Sequence, residues 1–206
     1  MSNKQFAPAT QRNREAILEV LLQVLPSRGT ILEIASGTGE HATYFAPSLK
    51  PRKWLPSDPS AIARDSIAAW LQELPSENLY PPIELDASLP VWSLESMDLQ
   101  DLEICAIANI NMIHISPWQA CLGLMAGARR ILPSGGILYM YGPYKLNGKH
   151  TAPSNEAFDA SLQMQNPEWG VRDLDDAIAA AKAQNLTLIK TVQMPANNLS
   201  VVFQRD

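Results

Sequence analysis

The stretch Ile31-Leu-Glu-Ile-Ala-Ser-Gly-Thr-Gly-Glu-His-Ala-Thr-Tyr-Phe-Ala46 places Gly37 and Gly39 where a buried-strand pattern gives way to a helical one. Glycines at such a junction let the backbone take positive φ and admit a ligand to the main chain where a Cβ would stand in its way. The helix behind them offers free N–H groups at its N-terminus, so the turn suits an adenosine cofactor. Gly37-Thr-Gly39-Glu-His41-Ala42 also fits the dinucleotide form G-x-G-x-x-A. Asp58 lies 19 residues beyond Gly39, at the end of the next expected strand, where a carboxylate accepts hydrogen bonds from ribose hydroxyls. Ser36 belongs to the same expected cofactor surface. His41 either approaches the cofactor or only packs.

A second group follows a strongly apolar run: Asn109-Ile-Asn111-Met-Ile-His114. In an open α/β sheet, ligands bind outside the carboxyl ends of the strands, and this segment sits there. A histidine titrates near neutrality, so His114 suits a general base for an oxygen or nitrogen nucleophile. The competing reading is a histidine that caps the next helix or bonds a carbonyl. Asn111 is expected to orient a substrate hydroxyl or the cofactor amine, with Asn109 on the cofactor side. Arg12 and Asn13 lie on a helix ahead of the first strand. Arg12 suits a carboxylate, the cofactor's or the substrate's, and reads equally well as an exposed helix charge. Tyr141, Tyr144 and Lys145 follow a later strand and are expected in the substrate pocket.

These residues need a frame. Apolar Ile17, Leu18, Leu21, Leu22 and Leu25 recur at helical spacing over Gln11 to Leu25. Strands are expected at Thr30–Ala35, Lys53–Ser57, Tyr80–Leu85, Leu102–Ile110 and Ile137–Tyr141, with helices between them. Pro47 is expected to stop the helix that begins at Gly39. The helix after Pro59 should turn Ile62, Ile67, Ala68 and Leu71 inward, and Ser116 should cap the helix that opens at Pro117. Helices at Asn155–Gln165 and Arg172–Gln184 precede two final strands, Leu186–Met194 and Leu199–Gln204. Alternating strands and helices make a mainly parallel sheet with helices on both faces. The final pair meets through Pro195-Ala-Asn-Asn198, too short for a parallel crossover, and must be antiparallel. The polar stretch Tyr144 to Asn155 is long for a plain connection, and such loops are often functional.

The 206 residues fit one domain spanning the whole chain, and the net charge of −5 with scattered Lys and Arg disfavours nucleic acid as partner. A small-molecule substrate is the expectation. The two cysteines have no zinc-like spacing and read as reduced core thiols, so no metal is expected. No apolar run is long enough to span a membrane and the N-terminus is polar, so a cytoplasmic protein without membrane contact is expected.

The turn alone leaves NAD and S-adenosylmethionine open. Glu33 stands four residues before Gly37, as in the E/D-x-G-x-G-x-G pattern of class I methyltransferases. The helix before the first strand and the antiparallel end also favour S-adenosylmethionine over NAD. Ala35 replaces the first glycine of that pattern. The combination "RNREAILEVL", "LEIASGTGEHATYFA", "PSDPS", "ELDAS", "NMIHISPW" and "GGILYMYGPYK" resembles the family called domain of unknown function 938, whose animal members are named methyltransferase-like proteins. The resemblance implies a Rossmann-like class I methyltransferase fold: a seven-stranded, mostly parallel sheet with an antiparallel C-terminal strand. It implies that Glu33, Ala35 and Gly37 border S-adenosylmethionine, and that Asp86 and the Ala87 N–H receive the adenine, although Asp86 reads equally well as a surface turn residue. It names no substrate. A non-catalytic cofactor-binding or scaffold protein stands beside the enzyme reading, and an NAD-dependent oxidoreductase behind both.

Overall fold

The computed structural model describes residues 3–96 and 102–206. Helix α1 (Pro8–Val24) leads into β1 (Thr30–Ile34), α2 (Glu40–Ser48), β2 (Lys53–Ser57) and α3 (Ala61–Glu73). Then come β3 (Ile104–Ile110), α4 (Trp118–Ile131) and β4 (Ile137–Gly142). The short strands β5 (Lys145–Leu146) and β6 (Lys149–His150) form a hairpin. Helices α5 (Pro153–Gln165) and α6 (Leu174–Lys182) and strands β7 (Leu186–Met194) and β8 (Asn198–Arg205) complete the chain.

The main sheet has the order β2–β1–β3–β4–β8–β7. β1 to β4 run parallel, and β8 lies antiparallel between β4 and β7. Successive strand residues feed two cores, as pleating demands. Ile31, Ala106, Tyr139 and Val202 pack with Ile17, Leu21 and Phe45 of α1 and α2. Leu32, Ile107, Leu138 and Phe203 pack with Leu124 and Ala128 of α4 and Ala177 of α6. Each fully buried Leu, Ile or Phe contributes about 2 kcal/mol by leaving water, so both sheet faces are committed to helices.

Among the described residues the sheet has six strands rather than the expected seven. The segment expected as a third strand, Tyr80 to Leu85, does run parallel beside β2, but only through isolated bridges, Trp54 to Leu79 and Ser57 to Ile83. Pro81 and Pro82 have no N–H to donate, which breaks the ladder. The bonds Tyr80 N–H to Trp54 O (2.9 Å) and Ile83 N–H to Pro56 O (3.1 Å) hold it on either side of the break. Smaller departures have equally local causes. α2 runs through Pro47 to Ser48, because a proline in the last turn removes only one bond. Ser116 does not cap α4; its hydroxyl donates back to Met112 O at 2.7 Å, and Pro117 is itself the N-cap. Ile62 points outward at 67% exposure, since Ser60, not Pro59, sets the start of α3. The polar stretch after Tyr144 is folded as the β5–β6 hairpin, turned by Asn147 (φ 51°) and Gly148 (φ 75°). Asn-Gly with both residues at positive φ is a type I′ hairpin signal that was present in the sequence. Among the described residues no helix is long and apolar enough to cross a membrane.

Candidate functional site

From β1 the chain turns to β2 on one side, and from β3 it turns to β4 on the other. The carboxyl ends of β1 and β3 therefore flank the point where strand order reverses, the position at which open α/β sheets form a ligand crevice. Asn109, at the end of β3 and buried, donates from Nδ2 to Ile34 O at 3.1 Å and ties the two strand ends together there.

The glycine turn opens on this crevice. Ala35, Gly37 and Gly39 all have positive φ, at 57°, 57° and 89°. The two glycines serve different ends. A Cβ on Gly39 would stand 2.8 Å from Ile67 Cα, so Gly39 lets α3 pack against the start of α2. A Cβ on Gly37 would meet no protein atom within 4 Å, so Gly37 faces open space. Ala35 takes the same left-handed conformation with a Cβ in place, at a cost of about 1 kcal/mol. Ser36 binds the turn to β2: its N–H donates to Ser57 O at 2.9 Å and its Oγ accepts from Ser57 N–H at 3.1 Å. Asp58 Oδ2 accepts from the Gly37 N–H at 3.0 Å, and Oδ1 from the Ser60 N–H at 2.9 Å. A carboxylate has about four acceptor positions, and the protein uses two of them here. An open glycine and an acidic group with spare acceptor capacity fit the ribose and backbone-facing part of S-adenosylmethionine.

Glu33 lies behind the turn, 2% exposed, and its Oε2 accepts from Trp54 Nε1–H at 3.0 Å. Burial pushes its carboxyl up to about 7, against the bonds from Trp54 and Ser36, with the Asp58 charge adding to the rise. Glu33 thus supports the turn from inside and does not border the crevice. Asp86 accepts at Oδ1 from both the N–H and the hydroxyl of Ser88, at 2.8 and 2.7 Å, which fixes the turn after the bridge segment. Ala87 is buried against α4, where a Cβ on Gly123 would fall 2.0 Å from the Ala87 carbonyl. Gly123 sets the depth of this turn, a role with no signal in the sequence because it arises only when α4 meets residue 87.

A cavity of about 620 Å³ lies between α1, α5 and the β7–β8 connection, where Asn111 and Pro143, just past the ends of β3 and β4, line it. Arg12, Asn13, Asn111 and Tyr141, from three separate parts of the chain, all line it. Asn13 Oδ1 pairs with His41 Nε2 at 2.9 Å, which links the cavity wall to the helix behind the glycines. His41 stacks on Phe45 at 5.2 Å. Burial, and then the nearby Arg14 charge, lower its pKa to about 4, so it is a neutral packing residue that orients Asn13. Burial raises the pKa of the Tyr141 hydroxyl, opposed by a bond from Asn13. Asn155 and Phe158 of α5 and Ala196 of the β7–β8 turn complete the lining. Asn155 donates to Asn197 O at 2.9 Å and holds that turn in place, with Ala196 and Asn197 at φ 55° and 59°. Of these, Asn155 closed the polar stretch singled out in the sequence; Phe158 and Ala196 carried no signal.

Three expected site residues lie elsewhere. His114 is wholly buried and does not line the cavity. Burial, and then the Arg172 charge, lower its pKa to about 3. Its Nδ1 faces the Arg172 N–H at 3.4 Å, and its Nε2 would touch a Cβ on Gly142 at 2.4 Å. This neutral imidazole sits beneath Asn111, whose carbonyl accepts the His114 N–H at 3.1 Å, and in this conformation it has no path to a substrate. Tyr144 is likewise turned into the core at 1% exposure, edge-on to His114. Lys145 is drawn away by Asp159, to which its Nζ is bound at 2.8 Å.

Asp159 is a hub rather than part of the crevice. It also takes His150 Nε2 at 3.2 Å, the Val171 N–H at 2.8 Å and Gln163 Nε2 at 3.1 Å, joining the β5–β6 hairpin, α5 and the loop before α6. Burial pushes its carboxyl up, but Lys145, the Val171 N–H and His150 together hold it below the usual range. Asp159→Asn is expected to cost about 1–2 kcal/mol at neutral pH. A depressed carboxylate stabilises above its unfolded pKa and loses that contribution as pH falls through the folded one. The two proteins should therefore converge in acid, as urea unfolding at several pH values would read. Among the described residues, no group of three or more His, Cys, Asp or Glu is placed to hold a metal ion.

The strand order, the switch-point crevice and the glycine turn define the Rossmann-like fold of class I S-adenosylmethionine-dependent methyltransferases. Solved structures agree. The apo S-adenosylmethionine-dependent methyltransferase SibL superposes with TM-score 0.75 at 14% identity, over 96% of this chain and 55% of that one. An O-methyltransferase family 2 protein from Planctomyces limnophilus, in complex with apigenin, gives 0.74 at 16% identity, over 96% and 58%. CalO1, a methyltransferase in calicheamicin biosynthesis with SAH bound, gives 0.68 at 13% identity, over 93% and 54%. The chain spans a little over half the length of these structures. It belongs to the family described as "Protein of unknown function (DUF938)", which matches residues 4–205.

Proposed function

We propose that this protein is an S-adenosylmethionine-dependent methyltransferase acting on a small-molecule acceptor. The observation that carries the reading is the open face of Gly37 beside the Asp58 carboxylate at the switch point; a 620 Å³ cavity lies past the ends of β3 and β4 in the same sheet. That volume falls within the range of small-ligand pockets, about 300–1,000 Å³. The neighbouring structures, several named as methyltransferases and some holding SAH, lend support.

In this reading Gly37 and Asp58 hold the cofactor, with Asp58 accepting from the ribose, and the Asp86–Ala87 turn meets the adenine. When bound, S-adenosylmethionine supplies an electrophilic methyl carbon. The chain's own task is then to place the acceptor in line and to exclude water. Asn111 and Tyr141 are the orienting groups. A second reading, a cofactor-binding protein without turnover, draws on one observation: among the described residues no carboxylate or imidazole lines the cavity to take a proton.

Calorimetric titration with S-adenosylmethionine, S-adenosylhomocysteine and NAD tests the proposal. Binding of the first two without NAD is expected; binding of NAD alone would sink it. Asp58→Ala is expected to weaken cofactor binding by about 1–3 kcal/mol, the value of a hydrogen bond to a charged acceptor. Unchanged affinity would remove Asp58 from the site.

A further inference from the structure

Among the described residues, the cavity between α1, α5 and the β7–β8 connection has one charged side chain in its lining, the exposed Arg12, and no acidic one. Among the described residues Arg12 makes no hydrogen bond or ion pair, and the side-chain amide of Asn111 makes none either. Most cations of this protein are engaged elsewhere: Arg172 with three carbonyls, Arg130 with Glu95, Arg64 with Glu84 and Lys145 with Asp159. Phe158 offers an apolar wall to the same space, with 39% of its surface exposed. We propose that this cavity is the acceptor site and selects a small anionic molecule with a planar apolar body, its carboxylate paired by Arg12.

Three physical points support this. A guanidinium presents a fork of donors that matches a carboxylate in two parallel bonds. A cavity with a lone cation and no acid raises the local concentration of anions and disfavours cations. A carboxylate oxygen would accept a methyl group with no proton to remove, the O–CH3 bond forming as the sulfonium S–CH3 bond breaks and S-adenosylhomocysteine leaves, which suits a lining that, among the described residues, has no carboxylate or imidazole. The first turn of α5 adds to the same sign. Ser154 and Asn155 lie there beside the cavity, the N-cap Ala152 supplies no side-chain cap, and a helix start carries positive partial charge.

The proposal rests on the methyltransferase reading, so the test separates the two. The purified full chain and its Arg12→Gln variant are titrated by calorimetry with benzoate, benzamide and benzylamine, with and without saturating S-adenosylhomocysteine. The same proteins are titrated with S-adenosylmethionine. Benzoate is expected to bind at least about tenfold more tightly than benzamide, with benzylamine weakest, and Arg12→Gln should remove that preference while leaving cofactor affinity unchanged. Equal binding of benzoate and benzamide, or no binding of any probe, overturns the proposal. So does a loss of S-adenosylmethionine affinity in Arg12→Gln, because Arg12 would then serve the cofactor's own carboxylate. Failure of wild type to bind S-adenosylhomocysteine, with the benzoate preference intact, overturns the methyltransferase reading and leaves the anion site standing.

Discussion

Gly37→Val is expected to lower S-adenosylmethionine affinity by at least about 100-fold, or about 2.7 kcal/mol, while the fold persists. The reasoning starts from the turn. Gly37 has φ 57°, and a Cβ there meets nothing within 4 Å. A valine would thus find room against the protein's own atoms. Its penalty in stability is the left-handed backbone, about 1–2 kcal/mol for a side chain in that region. The larger effect falls on the ligand, since the branched side chain would fill the open face through which the cofactor approaches. The change would also shift the Gly37 N–H from Asp58, the residue proposed for the ribose. Circular dichroism should show retained secondary structure, and calorimetry should show lost binding. Wild-type affinity in the folded variant would place the cofactor elsewhere. Gly39→Val is the contrast: its Cβ would collide with Ile67 of α3, so that variant should lose stability.

Glu33→Gln is expected to stabilise the protein by about 3 kcal/mol at pH 8 and by little near pH 4. An ordinary glutamate titrates near 4.5, whereas burial raises Glu33 to about 7. Between these values the folded state keeps a proton that the unfolded chain has released. Stability therefore falls as pH rises through this window, and the loss is complete above about 7. Glutamine stays neutral throughout and keeps a carbonyl oxygen for the Trp54 N–H now bound at 3.0 Å. Urea unfolding followed by tryptophan fluorescence from pH 4 to 9 would give both curves. A difference that does not change with pH would show that the Glu33 carboxyl is not the titrating group. The prediction bears on the site, because Glu33 backs the turn that Ser36 and Asp58 hold from the other side.

The strand-to-helix junctions were legible because each is a local pattern. Alternation of apolar type with turn residues is enough to place β1, β2, β3, β4 and the helices, and the short link at Pro195–Asn198 is enough to make the last pair antiparallel. Gly37 and Asp58 were legible for the same reason, being tied to the ends of β1 and β2. The third strand failed where two prolines removed its donors. The polar stretch from Tyr144 to Asn155 holds the β5–β6 hairpin, which Asn147-Gly148 announces. Arg12, Asn13, Asn111 and Tyr141 were named from their places at element ends, and one cavity unites them.

What no local pattern holds is which way a side chain turns once several elements meet. His114 has the right residue type in the right segment, yet Gly142, Tyr144 and Arg172 close around it and leave it neutral and enclosed. Lys145 is captured by Asp159, 14 residues away in the chain. Gly39 serves α3, and Phe158 and Ala196 reach the cavity only because α5 and the β7–β8 turn fold across it. The sequence by itself determined the order of elements and the chemistry at the strand ends, because these depend on neighbours along the chain. The tertiary structure alone decided which of those groups face the crevice and which are buried, because burial and pairing are set by residues distant in sequence.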